Sequence, residues 1–143
     1  MIGILVTGHG NFATGISSSV KLIAGMPEKY EMVDFLEDYS VDDLTIELNA
    51  AMDRLSDCDG ILVFSDLAGG SPFKTAVEVG IGRKERVEVL GGTNLGMIIE
   101  ISMARGFVSD MDALVEMAVN TGKDQVVHFV LTKHEDVADE DGI

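Results

Sequence analysis

Two apolar runs limit what this chain can fold into. Ile2-Gly3-Ile4-Leu5-Val6 and Ile61-Leu62-Val63-Phe64 carry no charge and no polar side chain, and each gives way to a glycine-containing loop. A strand with one wet face alternates polar and apolar residues. These runs do not, so both faces must be covered, as in a parallel sheet packed between two helix layers. The first run stops at Thr7-Gly8-His9-Gly10, which holds His9 between two residues without side-chain bulk.

The rest of the chain supplies the helices. Phe12, Ile16, Val20 and Ile23 recur at helical spacing after Asn11, a good N-cap, and Gly25-Met26-Pro27 closes that helix. Tyr30 to Phe35 reads as a second strand, less apolar and therefore nearer an edge. Ser40-Val41-Asp42-Asp43 opens a second helix with Leu44, Leu48, Ala51, Met52 and Leu55 on one face, ended by residues 57–60. The third strand, 61–64, stops at Ser65-Asp66-Leu67-Ala68-Gly69-Gly70-Ser71-Pro72, where Ser71 reads as N-cap and Pro72 as first helical residue. Residues 86–90 read as strand four, followed by the turn Gly91-Gly92-Thr93-Asn94, with Asn94 capping a helix through Met97, Ile98, Ile101 and Ala104. Ser109 is expected to cap a last helix on Met111, Leu114, Val115 and Ala118, ended by Gly122. A final strand is expected at 126–131, with Val127, Phe129 and Leu131 on one face and Val126, His128 and Val130 on the other. The expected organisation is one domain over residues 1–131 and an acidic tail over 132–143.

Alternation of strands and helices implies an α/β fold, a doubly wound and mainly parallel sheet with helices on both faces and right-handed crossovers. Composition narrows the function classes. With 10 basic against 25 acidic residues the net charge is −15, which argues against nucleic-acid binding, since phosphate contacts need clustered Lys and Arg. The single cysteine, Cys58, excludes an intrachain disulfide and fits a reducing compartment. No basic region precedes the first apolar run, and no stretch reaches the roughly 18 apolar residues of a membrane span, so the chain reads as cytoplasmic.

In a doubly wound sheet the functional crevice lies at the carboxyl ends of the strands. The loops after strands one, three and four share that edge, so His9, Asp66, the Gly69-Gly70-Ser71 turn and Thr93-Asn94 are expected to converge. A loop histidine can be a nucleophile, a base, a metal ligand or a packing residue. His128 and His134 lie on or beyond the last strand, which leaves a metal site short of ligands. Asp66 can fix the tautomer of His9 and leave the other ring nitrogen as a nucleophile, while Gly10, Gly69, Gly70 and Ser71 form an anion-binding turn. A nucleophilic imidazole beside an anion site suggests a phosphohistidine.

A competing reading is a nucleotide fold. Gly8-His9-Gly10-Asn11-Phe12-Ala13 matches G-x-G-x-x-A between a strand and a helix, with Asp34 where a ribose-binding acid would stand. The chain leaves no room for the larger sheet and substrate domain of such enzymes. No P-loop and no nucleophile elbow occur.

Three segments in order resemble a known family: Val6-Thr7-Gly8-His9-Gly10-Asn11-Phe12-Ala13, Asp66-Leu67-Ala68-Gly69-Gly70-Ser71-Pro72-Phe73 and Gly91-Gly92-Thr93-Asn94-Leu95. They look like the IIA component of the mannose-type bacterial phosphoenolpyruvate-dependent sugar phosphotransferase system. The resemblance implies that His9 accepts a phosphoryl group from the phosphocarrier protein HPr and passes it to a IIB component, with IIC and IID membrane subunits acting downstream. It implies that Asp66 orients His9, that Gly69, Gly70 and Ser71 line the phosphate side, that no cofactor or metal is required, and that the protein is a homodimer exchanging its last strand. Three positions depart from the family pattern: Lys74 replaces a common asparagine, Leu67 a hydroxyl residue of some members, and Gly96 a common proline. Two alternatives share the fold: a regulatory or sensing subunit, and the phosphocarrier subunit of a dihydroxyacetone kinase, whose relatives carry serine-rich flanks where Gly8 and Gly10 stand here.

Overall fold

The computed structural model describes residues 1–132. The elements alternate as β1 (Gly3–His9), α1 (Phe12–Ala24), β2 (Tyr30–Phe35), α2 (Val41–Arg54), β3 (Ile61–Ser65), α3 (Ser71–Ile81), β4 (Val87–Leu90), α4 (Leu95–Ala104) and α5 (Met111–Asp124). The sheet runs β2-β1-β3-β4 with every pair parallel. The less apolar β2 is an edge strand, as its composition implies.

The two apolar strands occupy the middle, and their side chains divide between two cores. Ile4, Val6, Leu62 and Phe64 pack with Val20, Ile98, Ile101 and Leu114 on the face covered by α1, α4 and α5. Leu5, Ile61 and Val63 pack with Leu44, Leu48, Met52 and Ala76 on the face covered by α2 and α3. Both faces of β1 and β3 are thus dry, which is why neither strand alternates.

From β1 the chain crosses to β2 on one side, and from β3 it crosses to β4 on the other. The connections diverge between adjacent strands β1 and β3, so the switch point of the sheet lies where these two strands end. Residues Thr7 and Ser65 are paired there. At the opposite edge, buried Arg105 donates to the carbonyls of Ile2, Glu28 and Lys29, tying the starts of β1 and β2 to the end of α4.

Several boundaries differ from expectation. β1 continues through Thr7 and Gly8 to His9, because all three pair with β2. Gly70, not Ser71, is the N-cap of α3, and Asp110, not Ser109, that of α5. α5 also runs past Gly122, where Met97 fills the space a side chain would need. The expected last strand does not form within this chain: residues 126–131 pair with no strand and are exposed. Alternation shows that a segment can join a sheet but not which edge receives it, and no edge of its own chain does. The acidic tail from 133 onward lies outside the described residues.

Candidate active site at the switch point

His9 is the last residue of β1, opposite Phe35 of β2. The strand ends there because Gly10 turns into the left-handed region, φ 57°, while its N–H donates to Phe35 O at 2.7 Å. Asp66 follows β3 directly. One of its oxygens, Oδ2, accepts the backbone N–H of His9 at 2.9 Å and lies 2.7 Å from His9 Nδ1; the other, Oδ1, accepts Leu67 N–H at 2.8 Å.

Burial pushes the Asp66 carboxyl upward, but hydrogen bonds from the His9 backbone, the His9 ring and Leu67 outweigh it, so its pKa lies below the ordinary carboxylate value. A carboxylate only accepts, so the proton of the neutral imidazole sits on Nδ1 and the lone pair on Nε2. The pair is asymmetric in exposure: the His9 side chain is 45% accessible and that of Asp66 13%. The His9 ring faces outward and the Asp66 carboxylate is shielded.

The remaining loops hold this pair in place. Gly70 presses on the ring: a Cβ there would lie 2.9 Å from His9 Cε1 and 3.6 Å from Nε2. Its own N–H donates to Leu67 O at 3.2 Å, so Gly70 offers close approach and Gly69 the left-handed turn, φ 81°. Ser71 then opens α3 as its first helical residue, with no side-chain cap and no acid in the first turn. The turn after β4 braces Asp66 from behind: Gly92 N–H donates to Asp66 O at 3.0 Å and Thr93 N–H to Ser65 O at 3.1 Å. Gly91 packs so closely on Ala68 that a Cβ would lie 2.6 Å from its Cα. Asn94 does not reach the pair; it caps α4 through Met97 N–H and donates to Gly122 O.

Asp34 has a role that the nucleotide reading misassigned. Its carboxylate accepts Thr14 N–H at 3.0 Å and Thr14 Oγ1–H at 2.7 Å, closing the start of α1 from the neighbouring strand. A dinucleotide pyrophosphate would need that helix end for itself, so the carboxylate there opposes the nucleotide reading. Asn11 makes no side-chain cap bond, and Asp34 supplies what it lacks. No local signal announces this contact, because its two ends lie 20 residues apart. Phe35, 6.0 Å from the His9 ring centroid, is a further neighbour that the sequence reading did not place.

Among the described residues, no three His, Cys, Asp or Glu side chains gather as a metal-ligand set, and no helix is long and apolar enough to cross a membrane. Gly96 also finds an account: Gln125 lies against it, where a Cβ would come within 2.5 Å of Gln125 Cδ.

Residues 3–119 match the EIIA-man family, described as PTS system fructose IIA component. The chain is 33% identical over 125 residues to the PTS system mannose-specific EIIAB component of Escherichia coli K12, covering 87% of this chain and 38% of that protein. It therefore spans less than half the length of those mannose-specific relatives. It is 25% identical over 114 residues to the PTS system fructose-specific EIIA component of Bacillus subtilis, covering 80% of this chain and 77% of that one. Among solved structures, phosphotransferase system component EIIA from Streptococcus agalactiae superposes with a TM-score of 0.81 at 32% identity, covering 90% of this chain and 97% of that one. The mannose/sorbose-specific IIA subunit from Enterococcus faecalis, at 22% identity and covering 93% and 98% of the two chains, shares the fold with a TM-score of 0.83. With the family match over most of the chain, the His9 strand end and the Asp66 loop inside it, the chain belongs to the EIIA-man family of phosphotransferase-system IIA components.

Proposed function

We propose that this chain is a cytoplasmic phosphoryl carrier of a sugar phosphotransferase system, accepting phosphate from phospho-HPr on His9 and passing it to a IIB component. The observation that carries the reading is the 2.7 Å contact between His9 Nδ1 and Asp66 Oδ2, which leaves Nε2 as the accessible nucleophile. In the uptake step the Nε2 lone pair forms the new N–P bond while the N–P bond of the donor imidazole breaks, its electron pair staying on the donor. The Nδ1 proton remains on His9, facing Asp66, and the carboxylate stabilises the imidazolium character of the phosphorylated ring. Delivery to IIB is the same step reversed, so positioning and charge neutralisation do most of the work.

Gly10, Gly69, Gly70 and Ser71 form the phosphate side of the site. The N–H groups of Gly10 and Gly70 are already bonded to Phe35 O and Leu67 O, so the donors we assign to the incoming negative charge are the first N–H groups of α3, which no side chain caps. Residues 1–131 act as the carrier domain, with the sugar itself phosphorylated downstream at the IIC and IID membrane subunits. The working form is a homodimer in which residues 126–131 exchange. Exposed Val127, Phe129 and Leu131 support this, as does the shallow groove lined by Leu90, Met97, Val119 and Val126 beside β4.

The test is to incubate the protein with phosphoenolpyruvate and the general phosphotransfer components. One acid-labile phosphoryl group is expected on His9, with none on His9→Ala. Equal labelling of wild type and His9→Ala would overturn the assignment.

A further inference from the structure

The start of α3 carries a charge that works against the helix. Lys74 stands one turn into α3, where a cation opposes the positive end of the helix dipole, and the first turn holds no acid to offset it. Lys74 is exposed and takes part in no ion pair among the described residues. Lys29, Arg54, Arg83 and Arg86 pair with carboxylates, whereas Lys21, Lys84 and Lys123, like Lys74, do not; what sets Lys74 apart is its place at the start of the helix that packs against His9.

Its position in the helix gives the unpaired charge a direction. Lys74 N–H donates to Gly70 O at 2.9 Å, so the two residues stack on one face of the helix start. Gly70 is the residue packed against Cε1 and Nε2 of His9. Side chains on a helix lean toward its N-terminus, which for Lys74 is the turn at Gly70, the residue packed against the His9 ring.

We propose that Lys74 is a positioning and charge-neutralising residue for the phosphorylated state: its ammonium meets the phosphoryl oxygens once they are on His9 Nε2, and sets how strongly this chain holds the group. The inference rests on the carrier reading. It adds that the affinity of the site for its phosphoryl group is tuned by one unpaired lysine at the start of α3. Glu78, one turn further along the helix, is the competing acid on the same face.

The full chain is tested with potassium phosphoramidate as a small phosphoryl donor, so that docking to a partner protein plays no part. In that reaction the P–N bond breaks with its electron pair leaving as ammonia, and Nε2 forms the new N–P bond. Site-mapped occupancy of His9 and the lifetime of the phosphorylated protein are compared for wild type, Lys74→Gln and Lys74→Arg. At low salt Lys74→Gln is expected to hold phosphate about threefold to tenfold less well, Lys74→Arg to match wild type, and the difference to shrink as salt rises. Thermal stability of unphosphorylated Lys74→Gln is expected to be equal to or above wild type, which separates the role from a structural one. His9 labelled with equal occupancy and lifetime in wild type and Lys74→Gln would overturn this proposal while leaving the carrier reading intact. Wild type that takes no phosphoryl group on His9 would overturn both.

Discussion

The N-termini of α2 and α3 lie at the same edge of the sheet and are built in opposite ways. α2 closes itself: Ser40 Oγ accepts Asp43 N–H at 3.1 Å, the Asp43 carboxylate accepts Ser40 N–H at 2.9 Å, and Asp42 adds a second acid in the first turn. α1 is closed by Asp34 and α4 by Asn94. α3 begins at Gly70 with no side-chain cap, no acid and a lysine that forms no ion pair among the described residues. It is also the helix whose start packs against the His9 ring. α5 also begins without a side-chain cap, at Asp110, but it carries Asp112 in its first turn, so among the described helices α3 is the one whose start has neither a capping oxygen nor an acid. At α3, which starts against the His9 ring, the first N–H groups carry no such oxygen, as the proposed anion site requires.

That contrast can be broken from the α3 side with the largest effect. Asp66→Asn keeps the shape but presents an amide that can donate to Nδ1 as well as accept from it, so phosphoryl uptake should fall by between about 10² and 10⁴-fold. Stopped-flow or quench transfer rates measure it, and an unchanged rate would remove Asp66 from the mechanism. The same carboxylate makes the site sensitive to acid. Because its pKa is lowered in the folded state, its contribution to stability is present above the ordinary carboxylate range and is lost as pH falls through the lowered value. Acid unfolding of Asp66→Asn should lack that component, as a comparison of denaturation midpoints across acidic pH would reveal.

Gly70→Ala comes next. The added carbon must displace the imidazole, and a misplacement of that size is expected to slow transfer by about 10²-fold with a small change in stability. Full activity in this variant would mean that the ring does not need its present position. Ser71→Asp then gives α3 the acid that α2 has. The free protein should gain about 0.3–1 kcal/mol of stability, since an anion suits a helix N-terminus, while phosphoryl uptake falls because the site is already occupied by negative charge. Calorimetry and labelling should move in opposite directions, and movement together would dissolve the comparison. The smallest functional effect is expected at α2, where Ser40→Ala should cost about 1 kcal/mol of stability and leave the transfer rate unchanged.

Much of this arrangement is legible in the chain because its signals are local. The uninterrupted apolar runs give β1 and β3 and their central place, and the N-caps at Ser40 and Asn94 mark helix starts that the structure reproduces. His9 and Asp66 are legible for a related reason: each stands where an apolar strand ends, and the switch point brings those ends together. What is missed depends on contacts between distant segments. Asp34 closes α1 across 20 residues, and Gly91 sets the Asp66 loop by packing on Ala68. Residues 126–131 have the alternation of a strand but pair with neither edge of their own chain's sheet, β2 or β4. The missing cap at α3 is informative only once Gly70 is seen against the His9 ring.

The central claim is that Asp66 reserves Nδ1 and leaves Nε2 for chemistry. It is tested most directly by phosphorylating the full chain and reading the nitrogen–phosphorus linkage at His9 by nitrogen-detected NMR of the labelled imidazole. The account predicts phosphorus on Nε2 with Nδ1 protonated. Phosphorus on Nδ1 of His9 would contradict it.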